Sequence, residues 1–218
     1  MPLTTPAKRE RFHLCCSGSP WIGLNRSESS ENTGRAPIVK MSRLPNATLE
    51  PGLDGVIRSC AVSQLIYIET SIPSFYHETR AGQFHTMREW TREWWDIAQV
   101  RDELVTSLAV IAELEDAPDP KRTKALKLLE RLPLLQSSET IDEMVAVYVK
   151  HKVMPADATG DARHLALATF YRCDVLASWN CKHIANGNKR GHIESINAML
   201  GYETPLLTTP FELLEIEP

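Results

Sequence analysis

The pattern of hydrophobic and polar positions changes character near residue 64. Before it, "CCSGSPWIGLNRSESSENTGRAP" runs with no sustained period of 2 or 3.6. From residue 64 onward, short apolar runs alternate with longer amphipathic stretches. "LIYIE" is β-branched and aromatic-rich and reads as a strand that ends on Glu69. The stretch that follows is too polar and too interrupted to extend it. "HTMREWTREWWDIAQVRD", 85–102, predicts a helix with Met87, Trp90, Trp94, Ile97 and Arg101 near one stripe. Further strands are predicted at 103–107, 133–136, 174–179 and 204–209. Helices are predicted at 108–117, from Pro120 through "KRTKALKLLERL", at 139–152, from 161, and at 191–200. Gly201 is placed to cap the last of these, and "PFELLEIEP" reads as a tail.

Five short strands with helices between them leave no room for antiparallel hairpins. The expected fold is α/β: a three-layer α/β/α arrangement around a central parallel sheet of about five strands. No glycine-rich loop follows any strand, so neither a dinucleotide nor a Walker-type phosphate site is supported.

Composition refines this picture at a few points. With 218 residues, 43% of them hydrophobic, the chain can form one substantial core. Residues 1–60 cannot readily offset their ordering entropy by burial, and are expected to be a flexible extension or the product of a start assigned too early, with Met41 a candidate start. Residues 61–218 then form the domain. The net charge of −4 does not advertise a general nucleic-acid or membrane binder. Charge is uneven, because residues 1–60 carry eight Lys/Arg against five Asp/Glu. Five cysteines (15, 16, 60, 173 and 181) show neither a disulfide ladder nor zinc-site spacing and read as reduced thiols. With no apolar leader and no run of membrane-spanning length, a soluble cytoplasmic protein with no membrane partner is expected.

In a parallel sheet, ligands bind outside the carboxyl ends of the strands. Glu69 ends the first strand, and Glu113 lies in the helix after the second, together with Glu115 and Asp116. Asp161 opens the helix before the fourth strand, Asn180 follows that strand, and Asp174 starts it at the opposite end. Each has a plainer role open to it: a solvated strand end, a charge at a helix amino end, an Asx turn. If they converge, their mutual repulsion calls for a hard cation such as magnesium or manganese.

These segments carry a resemblance. "YIETSIPSFYHETR", "TREWWD", "ELVTSLAVIAELE", "GDARHLALATFYRCDVLASWNCKHIAN" and "PLLTTPFELL" resemble, in order, those of PIN domains, and in particular of VapC-type toxins from bacterial toxin–antitoxin systems. The resemblance implies an acidic pocket binding Mg2+ or Mn2+, where RNA is cut by metal-activated water. It assigns Glu69, Glu113, Asp161 and Asn180 as metal-site and catalytic residues, with Glu at 69 and Asn at 180 replacing commoner aspartates. Asn180 removes a charge, so the pocket is expected to hold cations less strongly.

The implied function is a metal-dependent endoribonuclease acting as a toxin, with RNA as substrate, a cognate antitoxin as partner and a homodimer as assembly. A catalytically weak or inactive PIN-fold RNA-binding or regulatory protein is the alternative. A phosphatase-like enzyme is disfavoured, because no phosphoryl-accepting aspartate lies near Glu69. Ser71 and the basic turn Lys182, His183, Lys189 and Arg190 are candidate RNA contacts, the turn's plainer reading being solvated charge.

Overall fold

All four side chains of β1 (Leu65–Ile68) are buried, as befits the middle strand of a parallel sheet. The computed structural model describes residues 63–155 and 159–215. Expectations about residues 1–60 lie outside the described residues.

From β1 the chain enters α1 (Ser71–Tyr76) and the long α2 (Gln83–Arg101). β2 (Glu103–Ser107) leads to α3 (Leu108–Glu115) and α4 (Lys121–Leu129), and β3 (Leu134–Leu135) to α5 (Glu139–Lys150) and α6 (Thr159–Phe170). β4 (Val175–Ala177), α7 (Gly187–Met199), β5 (Leu206–Thr208) and α8 (Pro210–Glu215) complete it. The five strands are all parallel, in the order β3-β2-β1-β4-β5. With helices on both faces, this is the three-layer α/β/α fold expected.

Register follows from the central strand. Ile66 lies opposite Leu104 on one side and Val175 on the other. Ile66, Tyr67 and Ile68 are fully buried, and each aliphatic side chain so removed from water contributes roughly 1.5–3 kcal/mol. Helix α1 packs against α2 and α4, and α5 packs against α6. Tyr148 of α5 donates to Asn197 Oδ1 of α7 at 2.5 Å.

Three local differences from the sequence reading have physical causes. The segment after β1, given no element by its pattern, forms α1, with Pro73 in its first turn, where its missing N–H costs nothing. The buried stripe of α2 is Met87, Thr91, Trp94, Trp95 and Ala98, so Trp90 and Ile97 lie at its margin. The expected tail begins as α8, through a reciprocal cap: Thr209 Oγ1 accepts from Glu212 N, while Glu212 Oε2 accepts from Thr209 N. Pro210 follows the cap as the first helical residue, and Phe211 packs on Trp90 with ring centroids 4.3 Å apart. Gly201 ends α7 as expected. It takes φ +80°, its N–H bonds Ala198 O, and Tyr202 N–H bonds Asn197 O.

Glu78 anchors the turn between α1 and α2. Its buried carboxylate accepts from the backbone N–H groups of Thr79 and Arg80 at 2.9 and 3.0 Å, and from Arg80 Nη2 at 2.6 Å. The Arg80 hydrogen bond outweighs burial and holds its pKa down at about 2, against an ordinary 4.5. A carboxylate with a lowered folded-state pKa stabilises the fold above its unfolded value and loses that contribution as pH falls. Glu78→Gln is therefore expected to destabilise the protein by about 1–2 kcal/mol at neutral pH. The difference from wild type should shrink from about pH 4.5 and vanish near pH 2, as read by urea unfolding at a series of pH values.

Candidate metal centre

The strand order reverses between β1 and β4, and the crevice outside their carboxyl ends is where open parallel sheets place ligands. Glu69 follows β1 there and is only 5% exposed. Its Oε2 accepts from Ser71 N at 3.0 Å, Ser71 Oγ at 2.5 Å and Ser178 Oγ at 2.8 Å. Both hydroxyls accept in turn from the chain beyond β4: Ser71 Oγ from Trp179 N, and Ser178 Oγ from Asn180 N. One buried carboxylate thus joins the ends of two neighbouring strands.

Glu113 reaches the crevice from α3, whose amino end is capped by Ser107 accepting from Val110 N. Thr70 Oγ1 donates to its Oε2 at 2.5 Å, and His164 Nε2 lies 3.1 Å from its Oε1. The backbone of α6 also comes close: a Cβ on Gly160 would stand 2.7 Å from Oε1. Burial raises the pKa of Glu113, but the His164 hydrogen bond and charge and the Thr70 bond prevail and lower it.

α6 contributes Asp161 and His164, one turn apart on the same face. Asp161 Oδ1 accepts from Asn180 Nδ2 at 2.9 Å, and Asn180 Oδ1 accepts from His183 N at 3.1 Å. Burial first, then the charge of Glu69, push the Asp161 pKa up, against the opposing influence of His183, His164 and Asn180. His164 is fully buried; burial alone would lower its pKa, yet Glu113, Glu69 and Asp161 together raise it. Its Nδ1 is 2.9 Å from the Tyr67 hydroxyl, which lies 2.7 Å from Ser107 Oγ. Burial, reinforced by Glu69 and Glu113, keeps that phenol protonated far above neutrality.

Among the described residues, Glu69, Glu113 and His164 each offer one ligand atom within 4.8 Å of the others. This group could hold a metal ion. The donors suit one: acidic oxygens converge, and Asp161 beside them is pushed up first by burial and then by the charge of Glu69, both of which a cation would offset.

Of the residues singled out from sequence, Glu69 and Glu113 come together in this group, while Asp161 and Asn180 meet each other beside it. Asn180 has both ends of its amide engaged by protein, so it ties Asp161 to the turn after β4. Asp174 sits at the other end of the sheet, accepting from Leu65 N at 2.7 Å. Lys182 and Arg190 are exposed, Arg190 pairing with Glu194, while Lys189 Nζ lies 3.4 Å from His183 Nδ1 and donates to Val153 O. His164 was not singled out; its position three residues after Asp161 on one helix face is the signal that points to it. The chain matches no protein-family model and no curated protein.

Gly160 offers a direct test of the geometry. Gly160→Ala puts a methyl against Glu113 Oε1 while giving α6 a better helix former. The expected result is an unchanged or higher melting temperature with divalent-ion affinity reduced about 10-fold by calorimetry, the scale of a disturbed ligand orientation.

Proposed function

We propose that this protein is a divalent-metal-dependent endoribonuclease that hydrolyses RNA phosphodiester bonds. The observation that carries this reading is the convergence of Glu69, Glu113 and His164 within 4.8 Å at the carboxyl edge of the sheet, with Asp161 alongside. The choice of RNA, and of a toxin role with an antitoxin partner and a homodimeric assembly, rests on the resemblance of its segments to PIN domains.

Glu69 and Glu113 would hold the ion, Mg2+ or Mn2+, and Asp161 would complete the negative lining. Bound there, such an ion would supply Lewis-acid polarisation of a phosphoryl oxygen and acidification of water. The protein's own share is orientation. Ser71 and Ser178 fix Glu69, Thr70 and His164 fix Glu113, and Asn180 fixes Asp161. The exposed Lys182 would meet a phosphate of an RNA strand running past the turn after β4, and Arg190 on α7 would do so by exchanging its surface partner Glu194. RNA binding without cleavage is the second reading. It is favoured by Asn180, a neutral residue where the resemblance implies an acid.

Incubation of the protein with single-stranded and structured RNAs should give cleavage with Mn2+ or Mg2+ that stops on chelation. Asp161→Asn should reduce the rate by about 100-fold or more. Cleavage indifferent to chelator and to this substitution would refute the mechanism. Retained RNA binding with no cleavage under any divalent ion would favour the second reading.

A further inference from the structure

Glu113 is the most exposed of the three carboxylates in the crevice. Its side chain is 40% exposed and springs from a helix only eight residues long. The partner at its Oε1 is the opposite: His164 is 1% exposed, and Tyr67 behind it is fully buried. We propose that His164 is a positioning residue for Glu113, and that Tyr67 sets which ring nitrogen faces the carboxylate. This deepens the metal-centre reading above and rests on it.

The hydrogen-bond inventory decides the roles. An ionised carboxylate only accepts, so the atom 3.1 Å from Glu113 Oε1 is a protonated Nε2. At the other side of the ring, Nδ1 meets the Tyr67 hydroxyl, which donates or accepts as needed. Tyr67 then meets Ser107 Oγ, and Ser107 caps α3 through Val110 N. The chain of bonds starts at the cap of α3 and returns to the carboxylate six residues further along the same helix. α3 is therefore gripped twice through one buried relay, which fixes both its start and the direction of its functional side chain. In this arrangement Nε2 is directed at Glu113 Oε1, so that Glu69 and Glu113 would supply the inner oxygens and His164 would act through Glu113.

The test uses the full chain and Mn2+ alone as probe. Affinity is measured by calorimetry and the environment of the bound ion by pulsed electron paramagnetic resonance. Tyr67→Phe is expected to weaken Mn2+ binding about 10-fold, and His164→Asn, whose amide falls short of Glu113, by about 10- to 100-fold. His164→Gln, whose amide nitrogen can occupy the Nε2 position, should recover most of the loss. The spectrum of the wild type should show no directly coordinated nitrogen. A directly bound imidazole nitrogen, or affinity indifferent to both Tyr67→Phe and His164→Asn, would overturn the positioning role while leaving the metal centre standing. Absence of Mn2+ binding by the wild type would remove the metal centre itself, and this inference with it. If His164→Asn fails to fold, Tyr67→Phe, which keeps the ring and the packing, still decides the matter.

Discussion

A negative charge placed under the end of the central strand is the constraint around which the carboxyl edge of this sheet is organised. Removing a carboxylate from water costs several kcal/mol unless donors replace the lost hydration. Glu69 finds those donors locally, in the Ser71 backbone N–H and hydroxyl, and across the crevice, in Ser178. The same two hydroxyls accept backbone N–H groups from the chain leaving β4. Satisfying one buried acid therefore also satisfies the frayed end of the adjoining strand. The two requirements are met by one small set of atoms, which couples the shape of the crevice to its charge.

Around that acid the remaining groups are arranged in two pairs of unequal character. Glu113 with His164 is a carboxylate whose charge is secured by a neighbouring ring, and its pKa falls. Asp161 with Asn180 is a carboxylate whose burial, reinforced by the charge of Glu69, outweighs the help of His183, His164 and the Asn180 amide, and its pKa rises. The crevice is thus electrostatically lopsided, with the carboxylate of raised pKa on the side of α6 and β4.

Much of the architecture was legible in the chain. The β-branched run at 64–69 and the helices between strands were enough to favour a parallel sheet, because a helical crossover is the connection that parallel pairing requires. Position along the strands was enough to mark Glu69 and Asn180 as edge residues and Asp174 as lying at the far end. What could not be read was anything that depends on two elements meeting. Asn180 looks like a ligand until Asp161 and the His183 N–H are seen to occupy its amide. A single histidine within "DARHLALA" is indistinguishable from a packed core residue until Glu113 arrives from α3. Helix α8 was missed for a local reason. Its reciprocal Thr209–Glu212 cap was present in "TPFE", but the apolar residues behind it are too few to display a period.

The amino end of α6 concentrates three different contributions within five residues. Gly160 provides clearance for Glu113, Asp161 provides an acid, and His164 provides a donor. Their common face depends on the 100° of rotation between successive helical residues. An insertion of two residues inside this turn would carry His164 to about 140° from Asp161, off their shared face, whereas a substitution elsewhere on α6 would leave the phase untouched. The helix accordingly behaves as an indexed part. Its angular setting at the crevice, rather than its length, is what brings the three contributions together.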